Sequence, residues 1–174
     1  MRILFAYLIT VFISFSAYSQ NILNGKVVSV SDGDTFTMLI QGDRQVKVRL
    51  HGIDCPEKRQ DFGTVAKEYT SGQVFGKIVQ ARVLKKDQYR RSVAIVILSN
   101  GKNLNQELLR AGMAWHYIKY DKSAEFALLE KQARINKIGL WKGKSPIPPW
   151  EFRKLRRNIK AVNPHKRDKS LVRI

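Results

Sequence analysis

Two acidic clusters lie close together in the chain, joined by a run of strand-forming residues. Asp32-Gly33-Asp34-Thr35 opens the stretch, and Arg49-Leu50-His51-Gly52-Ile53-Asp54-Cys55-Pro56-Glu57 closes it. Asp34 and Asp54, on neighbouring strands, offer hard oxygen ligands to one cation. Calcium accepts such a site, filling the rest of its shell with backbone carbonyl and water. A cation held there can bind a phosphate oxygen and neutralise the charge that builds on it. Arg49 adds a planar fork of donors matched to phosphate oxygens, and Arg91 a second. Glu57, near the cation, has the chemistry to orient or deprotonate a water. Taken singly each residue is ordinary, since Asp-Gly is good turn chemistry and an arginine on a strand is usually a solvated charge. Together they are what attack on a phosphodiester needs.

The elements that must position these groups can be read from periodicity. A strand is expected over 24–31, around Val27, Val28 and Val30. Asp32-Gly33 makes a turn, and Phe36, Met38 and Ile40 alternate along a second strand over 35–40. After Gln41-Gly42-Asp43, Val46, Val48 and Leu50 alternate with Lys47, Arg49 and His51 in a third. Pro56 bars a regular continuation, and Phe62, Val65, Ala66 and Tyr69 follow helical spacing, so a helix is expected over 63–73. A fourth strand follows over 77–84, a polar hairpin loop over 85–91, and a buried fifth strand over 93–98. Asn103 with Gln106 resembles a capping box for a helix that ends at Gly112. Ser123 looks like the next N-cap, with Phe126, Leu129 and Ala133 on the inner face of a helix reaching Gly139 and Leu140-Trp141 docking back. This order is that of a β-barrel plus α fold, a five-stranded OB-fold barrel capped by three helices, whose closure leaves no exposed sheet edge.

Charge narrows the partners. The chain of 174 residues carries 32 Lys+Arg against 14 Asp+Glu, a formal +18, which predicts attraction to polyanions and says nothing about fold. From Glu151 to Ile174 nine Lys/Arg face only Glu151 and Asp168, so a solvated, partly disordered basic tail is expected after residue 153. At the other end Met1-Arg2 precedes an almost wholly apolar run from Ile3 to Phe15, and Ala17-Tyr18-Ser19 supplies small residues for a peptidase. The expected organisation is a signal peptide over 1–19, a domain over 20–153 and the basic tail over 154–174. The apolar run is short of the roughly 20 residues a spanning helix needs, and no later segment approaches that length. Export to periplasm or medium follows as the expected localisation, with no stable membrane span. Cys55 is alone, so no internal disulfide can form. The three histidines are scattered, which argues against zinc.

Residues 24–153 resemble the staphylococcal nuclease, or thermonuclease, family, in particular its secreted bacterial members. The likeness rests on Asp32-Gly33-Asp34-Thr35, on Arg49 through Glu57, on Gln60-Asp61-Phe62-Gly63 with Ala66, and on Asp87-Gln88-Tyr89-Arg90-Arg91. Leu104 to Ala114, Gly139-Leu140-Trp141 and Pro148-Pro149-Trp150-Glu151-Phe152-Arg153 extend it. The resemblance implies that Asp34 and Asp54 ligate Ca²⁺ with the backbone carbonyl of Cys55. It also implies that Glu57 is the general base or positions the water, and that Arg49 and Arg91 hold the scissile phosphate. Tyr89 would hydrogen-bond a terminal phosphate. The implied activity is hydrolysis of DNA and RNA to 3′-phosphate ends. Three positions depart from the family pattern. Cys55 stands for a frequent Thr, a change that keeps a carbonyl ligand but lowers metal affinity if the Thr hydroxyl contributes. Arg90 replaces the usual Gly, where glycine serves a positive φ, and sets a second guanidinium beside Arg91 that could take its place at the substrate. Gln88 removes a charge found in some relatives.

Tyr89, Tyr117 and Tyr120 are candidates to stack on bases, Trp115 is expected in the core, and His116 is read as a hydrogen-bonded histidine. A monomer is expected. Two other readings compete: a polyanion-binding OB-fold module with impaired catalysis, and an exported basic coat protein, which leaves the carboxylate spacing unexplained.

Overall fold

A computed structural model describes residues 21–162; the expected signal peptide and the end of the basic tail lie outside the described residues. Strand β1 (Asn21–Asp32) turns at Gly33-Asp34 into β2 (Thr35–Ile40), and β2 turns into β3 (Arg44–Leu50). Strands β5 (Ile78–Lys86) and β6 (Ser92–Ile97) form a hairpin, and the five close in the order β1-β2-β3-β6-β5, with β5 returning to β1. All contacts are antiparallel except β3 against β6, which run parallel over Val48–Leu50. The alternation seen in the sequence sets the lining. Phe36, Met38, Val48, Leu50, Val79, Ala81, Ala94 and Val96 are buried inside the barrel.

Three helices appear where the periodicity places them: α1 (Gly63–Val74), α2 (Leu104–Arg110) and α3 (Ala124–Ile135). Asn103 caps α2 through its side chain, accepting from the backbone N–H of Asn105 and Gln106. Gln106 does not complete the reciprocal box; its side-chain Oε1 accepts instead from Arg110 Nη2. Gly112 takes φ +60° just after this helix, the left-handed conformation expected of a C′ glycine. Ser123 caps α3, which ends four residues before Gly139. A short 3-10 helix (Gly139–Lys142) then buries Leu140 and Trp141 beside Trp115 and Ala133.

Two features were not foreseen. A two-stranded sheet pairs β4 (Ile53–Asp54) with β7 (Trp115–His116), and so ties Asp54 to the segment after α2. A fourth helix, α4 (Pro149–Val162), runs through the expected boundary between domain and tail. The beginning of the tail is therefore ordered rather than solvated coil. Pro149 sits at the first helical position, where its missing N–H removes no bond. Phe152 is buried and Leu155 and Ile159 follow at helical spacing, although both remain substantially exposed. Among the described residues no helix is long and apolar enough to cross a membrane.

Candidate active site

The site forms where the β1–β2 turn meets the segment that leaves β3. Arg49 pairs with Thr35 across the β2–β3 ladder, and the N–H of Leu50 donates to the Asp34 carbonyl at 2.9 Å. The turn is thus locked to the end of β3. Gly33 makes the other half of the join. A Cβ built there would lie 2.7 Å from Cys55 Cβ and 2.9 Å from Ala66 Cβ, so only glycine lets the turn pack under Cys55 and α1. The Cys55 N–H donates to Asp34 Oδ2 at 2.8 Å, and Thr35 Oγ1 donates to Asp34 Oδ1 at 3.1 Å.

Asp34 and Asp54 converge on one guanidinium. Arg49 Nη1 lies 2.5 Å from Asp34 Oδ2, and Nη2 donates to Asp54 Oδ1 at 2.8 Å. Both carboxylates are buried, at 5% and 1% exposure. A second arginine, Arg153 of α4, reaches the same group. Its Nη2 donates to Asp54 Oδ2 at 2.7 Å, and its Nη1 donates to Glu57 Oε1 at 2.7 Å and to Asp54 Oδ1 at 3.2 Å. These groups form the floor of a cleft of about 730 Å³, whose walls also carry Lys85, Lys86, Tyr89, Arg91, Tyr117, Tyr120 and Arg157.

The electrostatics follow from burial. Burial, then the neighbouring Asp34 charge, push Asp32 up to about 7. Burial also raises Asp54; the Arg153 hydrogen bond opposes it, and Asp34 adds to it. Arg49 is desolvated, yet Asp34 and Asp54 hold it charged above its ordinary value. The Cys55 thiol is pushed well up by burial, with Asp34 adding to the effect, which keeps it a neutral thiol. Four carboxylates (Asp32, Asp34, Asp54 and Glu57) therefore line a floor whose two paired guanidinium groups belong to Arg49 and Arg153. Among the described residues no cluster of three or more His, Cys, Asp or Glu side chains forms a ready metal site. The donor chemistry nonetheless fits a hard dication. The donors are carboxylate oxygens in acid excess, and the one sulfur nearby is neutral and packed against Gly33.

The remaining candidates fall in three groups. Arg91 lines the cleft without touching the acids; its Nε donates to Asp87 Oδ2 at 2.7 Å and its guanidinium lies 5.4 Å from the Tyr89 ring centre. Arg90 holds the positive φ, +61°, that the family's glycine would take, and its side chain is not among those lining the cleft. Tyr89 and Tyr120 are exposed on the cleft wall, and Tyr117 stacks on Trp150 with ring centres 5.1 Å apart. Trp115 is in the core, edge-on to Trp141 at 4.3 Å. His116 is buried, with Nε2 3.0 Å from Asp121 Oδ1, and His51 Nε2 lies 3.3 Å from Asp121 Oδ2.

Sequence reasoning missed Arg153 and the role of Gly33. Arg153 closes the Pro-Pro-Trp-Glu-Phe-Arg run. The signal that could have found it is the helical spacing of Phe152, Leu155 and Ile159, which turns the residue after Phe152 toward a neighbouring wall.

The chain is similar to known proteins over much of its length. Residues 47–143 match the family described as "Staphylococcal nuclease homologue". An "Uncharacterized endonuclease" of Haemophilus influenzae is 38% identical over 153 residues, covering 88% of this chain and 85% of that protein. A protein of the same description from Escherichia coli O157:H7 is 38% identical over 75% of this chain and 85% of its own length. "Staphylococcal-like nuclease CAN1" of Arabidopsis thaliana is 40% identical over 66% of this chain and 35% of that longer protein.

Proposed function

We propose, because the chain belongs to the staphylococcal nuclease homologue family, that it hydrolyses phosphodiester bonds of DNA and RNA with little sequence preference. The observation that carries this reading is the meeting of Asp34 and Asp54 on Arg49, with Glu57 beside them, at the floor of a basic-walled cleft. The description of its relatives as endonucleases supports cleavage within strands. Lys85, Lys86, Arg91 and Arg157 on the walls attract phosphates, which carry no sequence information. Exposed Tyr89 and Tyr120 favour splayed, single-stranded nucleotides.

Asp34, Asp54 and the Cys55 carbonyl would hold calcium, which when bound draws charge from a phosphate oxygen. Arg49, already between the two carboxylates, presents its fork to the same phosphate, and Arg91 turns from Asp87 to supply the second. Glu57 takes a proton from the attacking water. The new P–O bond forms as the P–O5′ bond breaks. The leaving oxygen acquires a proton as a 5′-hydroxyl, and the phosphate stays on the 3′ end. Export directed by the apolar stretch after Arg2 and a monomeric state belong to the same reading.

The test is incubation of the purified chain with single- and double-stranded DNA and RNA, in calcium or in excess EGTA, followed by end-group analysis. Calcium-dependent cleavage to 3′-phosphate ends is expected, with Glu57→Gln slower by about 10²–10³-fold. Adhesion to nucleic acid without hydrolysis at any calcium concentration overturns the reading in favour of a binding module.

A further inference from the structure

We infer that Arg153 is an exchangeable counter-ion: it occupies Asp54 and Glu57 until a dication arrives, then passes to a nucleic-acid phosphate along the cleft wall. This rests on the nuclease reading and deepens it, since it assigns α4 a part in binding both the cation and the substrate. The two arginines on the acidic floor differ in how they are held. Arg49 is rooted in a barrel strand, in register with Thr35, and its side chain is 14% exposed. Arg153 rises from a helix near the end of the described chain, its side chain 38% exposed. Phe152 and the Trp150–Tyr117 stack anchor the first turn of that helix. Arg153 can therefore swing clear of the carboxylates toward solvent by changing rotamer, whereas Arg49, less exposed and rooted in β3, stays over the floor as its fork turns from carboxylate to phosphate.

The contacts define what Arg153 now does. It forks onto both oxygens of Asp54 and reaches Glu57 with the same Nη1. A cation ligated by Asp54 must take oxygen lone pairs that this fork now uses, and its double charge repels the guanidinium. The planar fork that fits a carboxylate fits a phosphate equally. Arg157, one turn further along α4, lines the same cleft and marks the path on which a released Arg153 meets the strand. Arg153 is thus a positioning residue for Asp54 and Glu57 before binding, and a phosphate contact after it. Cation and nucleic acid then bind with positive coupling that is equal in both directions.

The experiment uses the full chain and reads affinity rather than turnover. Calcium binding is measured by calorimetry without nucleic acid, and binding of a short single-stranded phosphorothioate oligonucleotide is measured with and without calcium. Arg153→Gln is expected to bind calcium alone about tenfold more tightly and the oligonucleotide in calcium about tenfold more weakly, so that the coupling between them shrinks. Arg153→Lys, which keeps a charge but loses the fork, is expected to fall between and guards against a folding defect in the first variant. Arg157→Gln is expected to weaken the oligonucleotide alone and leave calcium affinity unchanged. Calcium affinity that is unchanged or lower in Arg153→Gln, in a protein whose wild type cleaves DNA, overturns the exchange and leaves the nuclease reading standing. A wild type that fails to cleave while Arg153→Gln still gains calcium affinity does the reverse.

Discussion

Arg49 and Arg91, the two arginines expected to grip a phosphate, are held by opposite means. On the barrel wall, Arg49 is placed by strand register, and both of its terminal nitrogens are taken by buried carboxylates. On the hairpin wall, one side chain shapes the loop. Asp87 Oδ1 accepts from the N–H of Tyr89 and of Arg91, and its Oδ2 accepts from Arg91 Nε. The barrel wall is part of the folded state's own charge balance. The loop wall is a local device, shaped by Asp87 and leaving Arg91 at the cleft without a bond to the acids. A group woven into the fold cannot be removed without a cost in stability, whereas a group presented by a loop can be removed at a cost in rate alone.

Arg49→Ala should therefore have the largest effect. It leaves two buried carboxylates without their shared partner, a loss of about 3–5 kcal/mol of stability, and it also removes a donor worth about 3–4 kcal/mol to the transition state. Chemical denaturation and cleavage rate measured on one preparation should both fall. A variant that loses rate but keeps its denaturation midpoint breaks the contrast between the walls.

Arg91→Ala should lose a similar 10²–10³-fold in rate while its stability changes by less than about 1 kcal/mol, the range of a partly exposed ion pair. The pair of variants sharpens the comparison, because the same chemical deletion separates rate from stability on one wall and joins them on the other.

Arg90→Gly probes the loop wall more gently. A left-handed residue with a Cβ carries strain of about 1–2 kcal/mol, part of which a glycine returns through the freedom it gains when unfolded. The variant should be more stable by up to about 1 kcal/mol, with its cleavage rate unchanged, because Arg90 does not line the cleft. A large fall in rate would show that this guanidinium reaches substrate after all.

Much of this is legible in the sequence, for reasons that differ by element. The barrel strands announce themselves because half of each strand faces a core: Phe36, Met38 and Ile40 keep period two for as long as the strand lasts. Asp34, Arg49 and Asp54 were legible as a set because short turns and strict register leave few ways to arrange them. Strands β4 and β7 were not, since two residues carry no period, and the pairing of Asp54 with Trp115 joins segments far apart in sequence. Helix α4 was hidden by its charge. A run dense in Lys and Arg reads as solvated chain unless the thinner signal of Phe152, Leu155 and Ile159 is given precedence. Gly33 was legible as a turn residue but not for its packing reason, because the atoms that forbid a side chain there belong to Cys55 and Ala66.

The smallest expected effect is in pH, and there the two walls should separate again. His51 follows the barrel strand β3. Burial lowers its pKa first, Lys85 lowers it further, and Asp121 opposes both. Its folded value lies below the ordinary 6.5, so the unfolded chain takes up a proton that the folded one declines, and stability is lost as pH falls below about 6.5. On the loop wall Asp87 has the opposite ordinary range. Burial pushes it up, but the hydrogen bonds from Arg91 outweigh that and hold it below 3.8, so its contribution is present above that value and lost only in stronger acid. Asp32, raised to about 7, works against His51, because the folded chain keeps a proton that the unfolded one releases and stability falls as pH rises between 3.8 and about 7. The wild-type curve alone mixes the two, so the difference between wild type and His51→Gln is the informative quantity. In calcium-free buffer the variant should recover about 2 °C of the midpoint lost between about pH 7.5 and pH 5.5, while Asp87→Asn should leave that interval unchanged. Equal shifts from both variants would mean that the two walls respond to protons as one unit, and the contrast between them would fail at its finest scale.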